Sequence, residues 1–272
     1  MTGLPVRVGV LRALLKEIAV SGESDKPLVI GGAHELARAL ERALLGGGDP
    51  AAVRVGDPEG AAVYVHVVAR AADDEDERAL KRGRRARTPI VAVVTGPATG
   101  ELSLPHVLAT DVIRVGAGEG FPLDRIARAI AGRLGEDAAP LAARIPSLRP
   151  AVCDHLIYSF ARRNGIVGLA VFIPGADLPL LALNELRLVL RLEQAYGLTI
   201  DPRERLPEIA ATLGVGFGLR AIARELLDLV PAAGWVVKGA VAYAGTRALG
   251  EATLRRIDAA TPRRGEASRA VP

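Results

Sequence analysis

Residues 61–69 read AAVYVHVVA and residues 89–95 read PIVAVVT, two apolar runs separated by a strongly charged segment. Runs of this length that are rich in valine and isoleucine are typical of β-strands buried on both faces. The segment between them, residues 73–87, begins with acidic side chains and ends with arginines, an arrangement that complements the dipole of a helix. We therefore predict a strand, a helical crossover and a second strand parallel to the first.

The same alternation extends in both directions along the chain. Residues 27–31 (PLVIG), 52–56 and 111–116 (DVIRVG) are further strand candidates. Helices are predicted over residues 33–45, where leucines recur every fourth position before a run of three glycines, and over residues 123–134. Apolar strands that alternate with helices predict an α/β domain with a doubly wound, mainly parallel sheet covered on both faces.

The composition provides enough apolar surface for a packed core, built almost without aromatic side chains. Of the 272 residues, 50% are hydrophobic and 3% are aromatic, and the formal net charge is +4. The length indicates one or two domains, and so mild a positive charge does not indicate nucleic-acid binding. Cys153 is the single cysteine, so an internal disulfide is excluded, and no Cys/His cluster suggests a metal site. We expect Cys153 to be a small buried residue in a protein of the reducing cytosol.

The turn that leaves the first strand lacks the chemistry of a phosphate-binding loop. A P-loop reads GxxxxGK[ST], in which lysine neutralises phosphate and the hydroxyl holds Mg²⁺. Residues 31–36 read GGAHEL, with neither lysine nor hydroxyl, and Glu35 in the first helical turn would repel phosphate. Gly31 and Gly32 remain candidates for a generic anion site at a helix N-terminus, the alternative being a tight strand-to-helix turn.

Residues 26–135 nevertheless resemble the Era-like family of small GTPases. Asp57 and Gly60 (DPEG) stand where that family has DxxG, and the resemblance implies that this Asp orders Mg²⁺ water and this Gly senses the γ-phosphate. The strand at residues 88–94 is similar to the one that leads into the guanine-reading NKxD, but residues 95–98 read TGPA. Without an Asp for guanine and a Lys for phosphate, we predict a pseudo-GTPase. In that case Asp57 is a turn former.

The second half of the chain predicts a hydrophobic, all-helical domain that follows a connecting stretch marked by Pro140, Pro146 and Pro150. Residues 150–255 resemble the bacterial family called domain of unknown function 697, the YcjF-like helical domain. The motifs that carry the resemblance are IPGADL, AYG and GTRALG, in which the structural-motif candidates are Pro174, Gly175, Asp177, Tyr196, Gly197, Gly245, Thr246 and Gly250. The resemblance implies an association with GTPase-like domains and no particular reaction.

Two apolar stretches, residues 166–183 and 230–248, leave two interpretations of this helical domain open. The first stretch has a length close to the minimum for crossing a bilayer, but Asp177 near its middle would cost about 2.5–3.5 kcal/mol on insertion scales. One interpretation is a compact soluble bundle in which Asp177 caps a helix or meets an arginine. The other is insertion into a membrane or tight binding to its surface. The candidates for membrane or partner contact are Ile166, Phe172 and Trp235.

No pattern in the chain predicts catalysis or a cofactor. The four histidines are far apart in sequence and have no metal-binding spacing, so we interpret them as surface or packed side chains: His34, His66, His106 and His155. The predicted organisation has four parts in chain order: an N-terminal amphipathic helix and linker (1–25), the pseudo-GTPase-like domain (26–137), the helical domain (138–257) and a disordered tail (258–272).

These observations predict a non-catalytic scaffold that associates with a protein partner, with a second copy of itself or with a membrane. Neither nucleic acid nor nucleotide is expected as a ligand. The expected location is the cytoplasm, with the inner face of the plasma membrane as the alternative. Two other functions stay open. One is a divergent GTP-binding switch that uses Gly31, Gly32 and Asp57, and the other is a membrane-inserted helical protein.

Overall fold

The computed structural model describes residues 24–69, 72–96, 104–116, 118–170, 178–198 and 234–260, together with positions 9, 13, 14, 16–18 and 20. The chain divides into two compact units. The first, here called the α/β unit, comprises Val20–His155 and Ala195–Gly197. The second, here called the helical unit, comprises Met1–Ala19, Leu156–Gln194 and Leu198–Pro272.

Five strands form one sheet in the α/β unit. They are β1 (Leu28–Gly32), β2 (Val53–Val55), β3 (Val63–Ala69), β4 (Ile90–Thr95) and β5 (Val112–Val115). Their order is β2-β1-β3-β4-β5, and every pairing among these described strands is parallel. The chain therefore moves to one side of β1 for β2 and to its other side for β3, β4 and β5, which places a topological switch point between β1 and β3. The predicted α/β sheet is confirmed.

Seven helices are described outside the N-terminal positions. They are α1 (His34–Leu45), α2 (Asp74–Arg85), α3 (Leu123–Leu134), α4 (Ala138–Arg144), α5 (Arg149–Ala170), α6 (Leu178–Ala195) and α7 (Gly234–Ala260). The first of these buries Leu40 and Leu44 and ends at Gly46, whose φ of 46° is the left-handed conformation that terminates helices. The described positions between 9 and 20 are also helical, as the pattern of residues 1–21 predicts.

The charged segment between β3 and β4 forms α2 because its two ends are satisfied locally. Asp73 accepts hydrogen bonds from the backbone N–H groups of Glu75 and Asp76, and Asp76 accepts one from the N–H of Asp73. This reciprocal capping box satisfies donors that the first helical turn leaves open. On its inner side, α2 buries Ala79 and Leu80 against Tyr64 and Val68 of β3, among other residues.

The stretch marked by prolines, which the sequence predicts to be a connection, contains α4 and a short 3-10 helix. Pro140 lies in the first turn of α4, and Pro150 is the second residue of α5. Proline is tolerated there because the first-turn N–H groups have no partner within the helix. The stretch is bonded to the end of α1: Arg144 pairs with Asp49 at 2.9 Å, and the Ser147 hydroxyl donates to the Leu44 carbonyl at 2.5 Å. Residues 138–148 therefore belong to the α/β packing.

In the helical unit, α5 and α7 approach closely through small residues. A Cβ added to Gly239 would lie 2.5 Å from Cγ of Leu169 and 3.0 Å from the carbonyl oxygen of Gly165. A Cβ added to Gly168 would lie 3.1 Å from the Lys238 carbonyl. The glycines therefore allow a spacing between the two helix backbones that a larger side chain would prevent.

Candidate functional site

A cleft of about 530 Å³ opens at the carboxyl ends of β1 and β3. Its walls come from the turn after β1, the loop after β2, the end of β3 and the start of α2. Ligands of open α/β sheets bind in this position, in the crevice outside the strand ends at the switch point. The cleft is therefore the candidate site of the α/β unit on topology alone.

The two glycines of the predicted anion site are committed to packing within the fold. Gly31 lies under the Tyr64 ring, and a Cβ added there would fall 2.0 Å from the Tyr64 hydroxyl oxygen. Gly32 has a φ of 89°, and a Cβ added there would fall 2.0 Å from the Val67 carbonyl oxygen. The N–H of Ala33 donates to this same carbonyl at 2.8 Å. That N–H consequently bonds to β3 instead of contributing to an anion cradle.

A chain of three buried or partly buried side chains runs from β3 to α2 beside the cleft. The Tyr64 hydroxyl is 2.9 Å from Nδ1 of His66, and Nε2 of His66 is 2.7 Å from Oδ1 of Asp76. An ionised carboxylate only accepts hydrogen bonds, so the imidazole proton lies on Nε2 and the phenol donates to Nδ1. Tyr64 and His66 are each 1% exposed. The three side chains join β3 to the first turn of α2.

Burial determines the ionisation of this chain. It lowers the pKa of His66, against the opposing effect of the bonded Asp76 carboxylate, so the neutral imidazole is favoured. Burial also raises the pKa of the Tyr64 phenol, and the charge of Asp57 acts in the same direction. The phenol is therefore a hydrogen-bond donor in this site and is not poised to ionise as a nucleophile or base.

The charge of the cleft is unfavourable for phosphate. Four carboxylates are among its described lining residues, at Asp57, Asp73, Glu75 and Asp76. Arg82 also lines it, but its guanidinium pairs with Oδ1 of Asp57 at 2.7 Å. A triphosphate entering here would meet several like charges and a cation that already has a partner, which makes its binding costly.

Of the four candidate nucleotide ligands, three line one cleft: Gly31, Gly32 and Asp57. Gly60 is not among the lining residues, and it is an exposed glycine with a φ of 72°. Sequence reasoning missed the contributions of Tyr64, His66 and Asp76. Strand alternation could have indicated them, because positions 64 and 66 share one face of β3 and the acidic first turn of the next helix follows directly.

No protein-family model matches this chain, and a search of curated proteins finds no match either. The resemblances to the Era-like GTPases and to the YcjF-like helical domain therefore stay predictions.

The helical unit contains a buried polar network that joins three helices. Asn164 of α5 donates from Nδ2 to the Thr246 hydroxyl of α7 at 2.8 Å and accepts from Nδ2 of Asn184 of α6 at 2.8 Å. The Thr246 hydroxyl donates to the Ala242 carbonyl at 2.9 Å. Asn164 and Thr246 are both fully buried. The predicted motif residue Thr246 thus has a structural role that requires no ligand.

Other motif residues also have positions that packing explains. A Cβ added to Gly250 would lie 2.6 Å from Cγ1 of Ile157, so a glycine allows α5 and α7 to meet there. Gly197 follows α6 with a φ of 73°, and the Tyr196 ring lies 5.6 Å from the Arg149 guanidinium carbon. Gly245 has open space around it. Pro174, Gly175 and Asp177 lie outside the described residues.

The predicted contact candidates are only partly visible. Ile166 of α5 is 53% exposed, whereas Phe172 and the side chain of Trp235 lie outside the described part of the chain. Cys153 is 3% exposed, as predicted for a small buried residue. Within the described residues, no helix combines the length and the apolar character needed to cross a bilayer.

We expect His66 to make the α/β unit less stable in acid. Its pKa is lowered by burial, so on acidification the unfolded chain takes up a proton before the folded protein does. The free energy of unfolding should therefore fall as the pH drops below the ordinary value of about 6.5. His66→Gln, which cannot ionise, should lose this part of the pH dependence in urea titrations.

His155→Gln is the matched control, because burial lowers the pKa of His155 as well. That variant should keep the contribution of His66. Titration of the His66 ring proton by NMR provides the direct measurement, and a midpoint at or above 6.5 would contradict the argument.

Proposed function

We propose that this protein is a non-catalytic scaffold. In this proposal, the α/β unit is GTPase-like in descent but no longer binds nucleotide, and the helical unit mediates association with a protein partner or a membrane. The observation that carries the first part is the turn after β1. Its Ala33 N–H is bonded to Val67, and its Gly31 lies beneath the Tyr64 hydroxyl.

The position of Asp57 supports the GTPase-like part of the proposal. The resemblance assigns phosphate contact to the turn at residues 31–36 and Mg²⁺ contact to Asp57. Gly31 and Gly32, at the end of β1, do line one cleft with Asp57, which follows β2. This shared cleft supports the proposal of GTPase-like descent, while the charge and hydrogen bonding inside it oppose phosphate.

Exposed apolar side chains support the association role of the helical unit. Ile166 is 53% exposed and Leu180 is 52% exposed, and Leu169, Val237 and Val241 each expose more than a third of their surface. Fully burying one large aliphatic side chain contributes about 1.5–3 kcal/mol. Covering several of them by a partner or an acyl layer would therefore be favourable.

Isothermal titration calorimetry with GTP, GDP and ATP in excess Mg²⁺ tests the loss of nucleotide binding. We expect no saturable heat, which corresponds to a Kd weaker than about 1 mM or −4 kcal/mol. The physical reason is the like charge of the cleft and the absence of a free cation beside the β1 turn among the described residues.

Micromolar binding of any of the three nucleotides would overturn the scaffold proposal and favour the divergent switch. In that event, the Asp57→Asn variant would show whether the cleft is the site, with Asp124→Asn on the exposed face of α3 as the control. A loss of binding confined to Asp57→Asn would assign Mg²⁺ contact to the cleft.

A further inference from the structure

The carboxyl-terminal half of α2 and the turn after it carry a dense cluster of cations. Residues 78–87 contain six Arg or Lys side chains and no acidic one. Four of them form a group that is here called the basic end of α2: Lys81, Arg84, Arg85 and Arg87. All four are exposed, and none forms an ion pair with another described residue.

The acidic start of the same helix does not cancel this charge. The acidic run is centred on Glu75 and the basic end near Arg84, nine residues apart, and a helix rises about 1.5 Å per residue. The separation is therefore about 14 Å, which exceeds the screening length of about 8 Å at physiological ionic strength. An anionic surface at the basic end would therefore be attracted by the cations, and the repulsion from the acidic run would be largely screened.

We propose that the basic end of α2 is a docking surface for anionic phospholipid headgroups. Clusters of four or more Lys and Arg on an amphipathic helix are a pattern that recognises such membranes. Three of the four cations lie on α2, and Arg87 lies two residues beyond its end. Three of the four cations are arginines, whose guanidinium groups bind phosphate oxygens in a bidentate manner. This contact goes beyond the proposed function, because it lies on the α/β unit and does not depend on the helical unit touching lipid.

A nucleic-acid partner fits the same surface less well. Proteins that bind single strands stack bases on aromatic side chains, and readers of duplex bases combine Arg or Lys with amide and hydroxyl side chains on an element that enters a groove. Residues 72–87, which include the whole of α2, contain no aromatic residue, no amide side chain and no hydroxyl. The surface therefore lacks the stacking and amide groups that add base recognition to charge, and it offers the cations that a layer of phosphate headgroups attracts.

Vesicle binding by the full chain tests the proposal, with vesicles of phosphatidylcholine alone compared with vesicles that contain one-third phosphatidylglycerol. Each cation near such a surface contributes about 1 kcal/mol, which is about fivefold in partitioning. We expect clear preference for the anionic vesicles, its loss on raising salt from about 0.15 M to about 1 M, and partitioning about 25-fold weaker for the R84Q/R85Q double variant.

The matched control is the double variant R125Q/R128Q. It also removes two positive charges, at two exposed arginines of α3, and its partitioning to anionic vesicles should stay within about twofold of that of the unmodified protein. Equal binding of R84Q/R85Q and the unmodified chain would overturn the proposal. So would equal binding to neutral and anionic vesicles, or tighter binding to a DNA or RNA duplex than to the anionic vesicles. None of these results would affect the calorimetric test of nucleotide binding.

Discussion

Gly32→Ala is expected to destabilise the α/β unit by more than about 4 kcal/mol, which is most of the stability of a domain at the low end of the usual range of about 5–15 kcal/mol. Two costs combine at this position. The φ of 89° disfavours any side chain by about 1–2 kcal/mol, and the new Cβ would lie 2.0 Å from the Val67 carbonyl oxygen. That oxygen belongs to the backbone of a central strand, so relief would require β1 and β3 to separate. Urea unfolding followed by far-UV circular dichroism measures the loss.

Gly60→Ala is the matched control for Gly32→Ala. Its φ of 72° is also positive, but nothing lies within 4 Å of the added Cβ. The expected cost is therefore only the conformational one, about 1 kcal/mol. Similar losses of stability for the two variants would contradict the packing argument. Gly32 would then again be a candidate for the anion site predicted at this turn.

Asn164→Leu should destabilise the helical unit by about 3 kcal/mol. The substitution removes the donor to the buried Thr246 hydroxyl, which keeps its own bond to the Ala242 carbonyl, and it removes the acceptor for Asn184. Each buried group that loses a partner costs about 1–3 kcal/mol. Urea unfolding followed by far-UV circular dichroism measures the loss, because the described part of this unit is helical.

A double-mutant cycle sharpens this second prediction. Asn184→Leu alone removes one donor to Asn164 and should cost about 1 kcal/mol, because Asn184 is only partly buried. The double variant should cost clearly less than the sum of the two single losses, since replacing both partners removes the unsatisfied groups together. Strict additivity would show that the three polar side chains do not act as one network.

Sequence periodicity located most elements of the α/β unit to within one or two residues. The helix predicted over residues 123–134 is observed as Leu123–Leu134, and the apolar run at residues 89–95 is observed as the strand Ile90–Thr95. Burial on both faces of these strands makes the pattern nearly continuous and hence easy to recognise. The connecting stretch marked by prolines is observed as helical at residues 138–144 and 146–148, because the first turn of a helix accepts proline.

The candidate site was only half predictable. The missing lysine and hydroxyl of the turn at residues 31–36 are visible in the sequence, and they predict weak phosphate binding without any coordinates. That Tyr64 and His66 fill the space beside this turn required the fold. Their interpretation as packed side chains of a strand was reasonable, but their shared partner on α2 depends on how the helix lies across the sheet.

What the sequence determined by itself is the succession of strands and helices, the parallel sheet that this succession implies, and the absence of phosphate-binding side chains after β1. These features depend on neighbours along the chain, where a period of two or of 3.6 residues is directly legible. The tertiary structure alone decided that Ala33 bonds to Val67, that Arg144 meets Asp49 and that Asn164 meets Thr246. Those pairs are 34 to 95 residues apart, and their contact arises from packing between elements, which no local pattern encodes.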